Sequence, residues 1–184
     1  MNSVLLRCSV PIAAALALVG CASRSYEPPW NPTRGSARLV ELMGDRLILA
    51  WEIAWAKYRD GLPVLDRRRE RESFRAIEAQ AIKLGVPADR ARAFFKAQFA
   101  ASRALQSELI QKWKQGQSLP TRPPRSLERD LRPQMDRINS ELVVQLAAAG
   151  PSSRGRELAR QAQRYFLALG IPNQPALRAV GPLR

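Results

Sequence analysis

The sequence predicts an all-α protein: a single-domain bundle of about five helices with one long central helix. Three observations predict it. No stretch alternates apolar and polar residues with period two, so no strand is expected. Apolar residues recur at three- and four-residue spacing over long stretches that end at glycine or proline. No internal repeat is visible, and the about 160 residues beyond the N-terminal segment suffice for one helical core.

Residues 1–20 begin with a short segment carrying one positive charge, Arg7, and continue into an apolar run from Val10 to Val19. That run is too short for a stable membrane span and has the layout of a secretory signal. It ends in Leu18, Val19, Gly20 and Cys21, which resembles a bacterial lipobox, with Cys21 the residue that would carry lipid. Cys8 lies inside the signal, so the mature chain keeps Cys21 alone and no internal disulfide is expected. Residues 21–35 hold prolines, serines and aromatics and read as the lipidated cysteine followed by a tether. The expected location is the periplasm. Ala22 after the cysteine points to a lipid anchor in the outer membrane, so the membrane is a partner through that anchor.

The formal charge is +14 and no histidine occurs, which excludes histidine acid–base catalysis and histidine–metal sites. With one mature cysteine, thiolate zinc sites are excluded as well, so neither a metal nor a cofactor is expected. Such a basic chain would ordinarily raise nucleic acid as a partner. Export argues against it, and the basic residues are scattered along helices among Glu and Asp, so no nucleic acid is expected.

The main domain is expected over residues 36–150, with a C-terminal helix and tail, residues 151–184, packed on it. Ser36 is a candidate N-cap for the long first helix, which should stop at Asp60 and Gly61. Trp51 and Trp55, four apart, suit packing better than a ligand cage. Asp66 can cap a second helix whose buried stripe reads Phe74, Ile77, Ala81 and Leu84, with Gly85 as its stop. Pro87 and Asp89 open a third helix running to about Gly116, with an inner face of Phe95, Phe99, Ser102, Gln106, Leu109 and Trp113. Three prolines mark residues 117–125 as a loop. A fourth helix should run from near Leu127 or Leu131 to Ala149, with Pro133 in its first turn and Met135, Ile138, Leu142, Val143 and Leu146 facing inward. After Gly150 and Pro151 comes a fifth helix, about 153–169, stopped by Gly170. The tail from Ile171 has room for at most one short helix.

The stretch from Arg46 to Glu70 carries the chemistry. Residues eleven apart on a helix are turned by about 1100°, so Arg46 and Lys57 point nearly the same way, about 16 Å apart along the axis. They share a stripe with Leu39, Met43, Ala50, Ile53 and Ala54, which sets two cations into a core-facing surface. Buried cations are costly unless an anion meets them, and two fixed cations over an apolar floor suit a small molecule with two carboxylates. Ser102 and Gln106 interrupt the inner face of the third helix one turn apart. A serine hydroxyl can bond back to its own helix, but a buried amide needs several partners.

The ordered set R-x10-K-x8-D-x2-R-E, followed by S-x3-Q on a later helix, resembles the all-helical chorismate mutases over about residues 37–146. Export, and the run Leu131, Arg132, Pro133 followed by Asp136, Ile138 and Asn139, make it most similar to their secreted, periplasmic subclass. The resemblance implies conversion of chorismate to prephenate, in the phenylalanine and tyrosine branch of aromatic amino acid biosynthesis. It implies that Arg46 and Arg132 grip the two carboxylates with Ser102 assisting, and that Lys57 and Gln106 donate to the ether oxygen. Asp66 and Glu70 would lie near the ring hydroxyl, with Arg69 ordering that corner. Arg46, Lys57 and Gln106 are thus the expected catalytic residues. Arg132 stands for the arginine that small homodimeric members borrow from a second subunit, which allows a monomer, or a homodimer with each site inside one chain. This chain departs in lacking the C-terminal disulfide frequent in the secreted members, and in placing Ser73 where some relatives have a longer polar residue. The alternative functions are a non-catalytic helical envelope lipoprotein and a sensor of a small dicarboxylate.

Overall fold

A computed structural model describes residues 34–150 and 155–183. The expected signal, lipobox cysteine Cys21 and most of the tether lie outside the described residues. Six α-helices follow one another: α1 (Arg34–Arg59), α2 (Arg67–Lys83), α3 (Ala88–Lys114), α4 (Arg132–Ala149), α5 (Arg156–Ala168) and α6 (Asn173–Val180). Among the described residues there is no strand, as period-two patterning was absent. None of the described helices is long and apolar enough to cross a membrane.

The long central helix is α1, whose 26 residues span about 39 Å. It packs against α3 on one side, α4 on another and α5 around Gly44. Leu39, Met43, Leu47, Ala50 and Ala54 are fully buried along it. Ser36 is not its N-cap. The helix is already running at Arg34, so Ser36 falls inside the first turn with its side chain buried. Gly44 admits α5: a Cβ there would stand 2.9 Å from both Leu169 Cδ1 and Tyr165 Cε1.

Asp66 does cap α2, its Oδ1 accepting from the Arg69 backbone N–H at 3.0 Å. Ile77 and Ala81 are buried as expected, but Leu84 is 43% exposed. The helix ends at Lys83, so Leu84 leaves the helical phase that would have carried it inward. Ser73 takes the buried place one turn before Ile77.

The fourth segment honours both expected starts. Leu127–Leu131 forms a π-helical turn, capped by Ser126, and α4 continues from Arg132 with Pro133 in its first turn. Proline cannot donate a backbone hydrogen bond, and the wider turn just before it absorbs one extra residue. Both Leu127 and Leu131 are thereby buried, and Arg132 is left at the junction.

The expectation of about five helices, with room for one short helix in the tail from Ile171, is met by six among the described residues. The eight-residue α6 is the addition, with Pro175 in its first turn, where a missing N–H costs nothing. It lies against α3, burying Ala176, Ala179 and Val180, and Gln98 Nε2 of α3 donates to Ala179 O at 2.9 Å.

Candidate active site

Arg46 and Lys57 both turn inward from α1, as their eleven-residue spacing dictates. Arg46 is 1% exposed. Its Nε donates to Asn139 Oδ1 at 2.9 Å, and Nη1 donates to Gln98 O at 2.8 Å and to Ser102 Oγ at 2.5 Å. Its guanidinium carbon lies 4.8 Å from the centre of the Phe99 ring. Among the described residues Nη2 has no hydrogen bond and no carboxylate forms an ion pair with Arg46. Burial pushes the guanidinium down to about 10, with Glu70 opposing the shift and Arg103 adding to it. The group is still a cation at neutral pH.

Lys57 is 8% exposed, and its Nζ donates to Val64 O at 2.6 Å in the loop between α1 and α2. That loop is set by Gly61, whose φ of +65° turns the chain while Leu62 N donates to Lys57 O at 2.8 Å. Burial lowers the lysine from its ordinary value; Asp66 and Glu70 oppose this, and Arg132 reinforces it. An ammonium has three donors and one is used here.

The other charges around the cavity cancel in pairs. Arg132 Nη2 donates to Asp66 Oδ2 at 2.8 Å, and Arg132 Nη1 also meets Glu128. Arg103 Nη1 donates to Glu70 Oε1 at 2.6 Å. Arg69 Nη2 is bonded to Asp136. The backbone N–H of Arg69, then Arg132 and Lys57, hold the Asp66 carboxyl below its usual value against the opposing effect of burial. Five cations and three carboxylates line the cavity, so two positive charges stay uncompensated there. They belong to Arg46 and Lys57.

The cavity encloses about 610 Å³ including its mouth. Arg46, Lys57, Asp66, Arg69, Glu70, Ser102, Gln106 and Arg132, the eight residues expected from the sequence, all line it. Ile53, Phe99, Leu127 and Met135 supply apolar wall. Gln106 is 6% exposed, and among the described residues its buried Oε1 has no hydrogen-bond partner. A buried acceptor left without a donor costs about 1–3 kcal/mol, which a ligand hydroxyl would recover, while the Nε2 end of the same amide is the one that can donate. Such a site can bind a small dianion, hold it against an apolar wall and aim two donors, an ammonium and an amide, at one polar atom.

Three further polar residues belong to the site, of which Asp136 and Asn139 entered from the sequence only as part of the run after Arg132 and Arg103 not at all. Arg103 and Asp136 line the cavity, and Asn139, 3% exposed, orients Arg46. Asn139 carried a signal, since it interrupts the apolar face of α4 between Ile138 and Leu142. Arg103 carried none, being one step around α3 from Ser102, off its apolar face and with no local pattern to set it apart from any helix-surface arginine.

Residues 36–107 match the family described as chorismate mutase type II. The crystal structure of chorismate mutase from Burkholderia thailandensis aligns over 82% of this chain and 97% of its own, at 30% identity and a TM-score of 0.70. The chain belongs to the chorismate mutase family. A chorismate mutase from Burkholderia phymatum is similar at 25% identity and TM-score 0.73, over 81% of this chain and 95% of its own. The secreted chorismate mutase from Yersinia pestis, at 21% identity and TM-score 0.69 over 79% and 94%, shares the fold. No curated protein matches. The family match spans α1, α2 and most of α3, and so holds seven of the eight expected site residues. Arg132 enters from α4, beyond it.

Proposed function

We propose that this pocket catalyses the rearrangement of chorismate to prephenate. The enzyme is an isomerase that breaks one C–O bond and forms one C–C bond within a single substrate, so atoms and charge balance without any co-reactant. The observation that carries this reading is the pair of buried, unpaired cations, Arg46 and Lys57, in a pocket whose other charges cancel.

Chorismate is a flexible dianion, and the reaction requires its compact conformer. Arg46 offers its free Nη2 to one carboxylate, and Ser102, whose oxygen already accepts from Arg46, has its hydroxyl hydrogen left to donate beside it. Arg132 takes the other carboxylate, sharing its guanidinium with Asp66. As the C–O bond breaks, negative charge grows on the ether oxygen. Lys57 Nζ and Gln106 Nε2 meet it there as fixed donors in a site shielded from water, where such stabilisation is largest. Both Asp66 oxygens are occupied, by the Arg69 N–H and by Arg132, whereas no described residue bonds to Glu70 Oε2. Glu70 is therefore the better acceptor for the ring hydroxyl.

We read residues 1–20 as an export signal and Cys21 as the lipid attachment point; lipid labelling of the cell-expressed chain and of Cys21→Ala tests this. The reaction is tested by following chorismate loss and prephenate formation with purified wild type beside Lys57→Ala. Turnover that collapses in the variant supports the reading. Chorismate binding without turnover would overturn it in favour of a dicarboxylate sensor.

A further inference from the structure

Arg103 is a pocket cation with no part in the reaction as described, and among the described residues its side chain bonds only to Glu70. It extends from α3 beside Ser102, with its side chain 35% exposed, and closes a 2.6 Å ion pair onto a Glu70 side chain 24% exposed. The pair joins α2 to α3 at the cavity wall. Glu70 is the one lining carboxylate whose field reaches both unpaired cations. Burial lowers Arg46 and Lys57, and Glu70 opposes the shift in each. Asp66 is tied down twice, by a backbone N–H and by Arg132, and Asp136 is bonded to Arg69. Among the described residues the Glu70 side chain has no tether except Arg103.

We propose that Arg103 is a positioning residue that acts through Glu70, holding this carboxylate off Arg46 and Lys57 and cancelling its charge so that the pocket presents +2 to a dianion. Without the guanidinium, Glu70 is a free carboxylate on a flexible stem facing two buried cations that lack a counter-ion. Desolvated charges seek partners, so it turns toward them and competes with the substrate as an internal anion. The same side chain then no longer presents Oε2 to the ring hydroxyl. Arg103 need not touch substrate for this. The inference rests on the proposed reaction and adds to it a residue that decides how strongly the pocket selects a doubly charged ligand.

A double-mutant cycle on the purified protein tests it, reading KM, kcat and melting temperature for wild type, Arg103→Ala, Glu70→Gln and the double variant. Arg103→Ala should raise KM for chorismate about tenfold with kcat changed by less than about threefold, since the loss is in charge complementarity rather than in the donors at the ether oxygen. Placing Arg103→Ala on a Glu70→Gln background should raise KM less than about threefold, because a neutral amide needs no counter-ion. Arg103→Lys should keep most of the affinity. An Arg103→Ala loss that persists undiminished beside Glu70→Gln would overturn the proposal and make Arg103 a direct substrate contact. A shift in melting temperature with KM unchanged would overturn it too and leave a structural tie between α2 and α3. If wild type shows no turnover, the reaction reading fails by itself. The same four proteins titrated calorimetrically with a rigid cyclic dicarboxylate then read the cycle as Kd, with the same expected pattern and the same overturning results.

Discussion

Two hollows lie on opposite sides of α1, and the larger one is not the candidate site. Arg46, Ile53 and Lys57 face the charged pocket, while Ile48, Trp51 and Trp55, turned through about half a revolution, face a groove closed by the 117–125 loop and the α5–α6 turn. The groove encloses about 1590 Å³ against about 610 Å³. Its polar groups are largely satisfied: Arg125 pairs with Glu52 at 2.8 Å, Lys112 with Glu108 at 2.7 Å, and Trp55 Nε1 donates to Arg122 O at 2.9 Å. Among the described residues the pocket keeps two buried cations without a carboxylate partner and a buried amide oxygen without a hydrogen bond. Unmet charge, not volume, marks the place where the fold has left room for a ligand. The sharpest way to break this contrast is to remove the unmet charge. Arg46→Ala and Lys57→Ala should each lower kcat/KM by about a thousandfold or more in a chorismate assay, with the helical circular dichroism retained. A loss under tenfold in both would detach the pocket from the chemistry.

Gln106 sharpens the comparison next, since its donor needs no proton from solvent. Glutamate there would be ionised at neutral pH, unable to donate, and would place a negative charge beside the oxygen where negative charge develops. Gln106→Glu should therefore lose about a hundredfold in kcat near neutrality and recover as the pH falls and the carboxyl protonates. Wild type should show no corresponding acid-side gain. A pH–rate profile of the two proteins decides it, and parallel profiles would remove Gln106 from the ether oxygen.

How far the sequence reached depends on where each residue gets its meaning. Arg46, Lys57, Ser102 and Gln106 were legible because each interrupts a helical apolar stripe, and a stripe is a local, periodic signal. Asp66 was legible as a cap for the same local reason. Arg103 was not, because its importance comes from Glu70 on another helix, and packing of α2 on α3 is a tertiary fact. Leu84 was misread since a helix end moves it out of phase, and the tail helix α6 could be allowed for but not given bounds, because eight residues with a proline give too short a period. Ser36 shows the converse: a good capping residue was overridden once α1 extended past it.

Lys57 separates the hollows by pH. Its lowered value means that the proton is lost at a pH below the ordinary lysine range, and Arg46, pushed to about 10, follows the same direction. The protonated forms bind the dianion, so kcat/KM should fall as pH rises through these values, about tenfold per unit once a single group is lost. A bound dianion stabilises the charged forms and raises both values, so the alkaline limb of kcat should lie at higher pH than that of kcat/KM. The two limbs measured together test this, and coincident limbs would mean that neither cation meets the substrate.

The groove side should give the smallest effect on catalysis. Trp113, 5% exposed, is the hub there, meeting Trp51, Trp55 and Tyr58 at ring separations of 6.1, 5.7 and 5.5 Å. Trp113→Ala removes the hub and leaves a cavity, which should cost about 3–5 kcal/mol of stability. It lies near the C-terminal end of α3, about two turns beyond Gln106, and does not line the pocket. Below its lowered melting temperature the variant should therefore keep kcat/KM within about threefold of wild type, because distant sites combine independently. Thermal unfolding and a chorismate assay on one preparation measure both quantities. A large loss of activity at full folding would mean that the aromatic hub sets the position of α3, and with it Ser102 and Gln106, so that the two faces of α1 act as one unit.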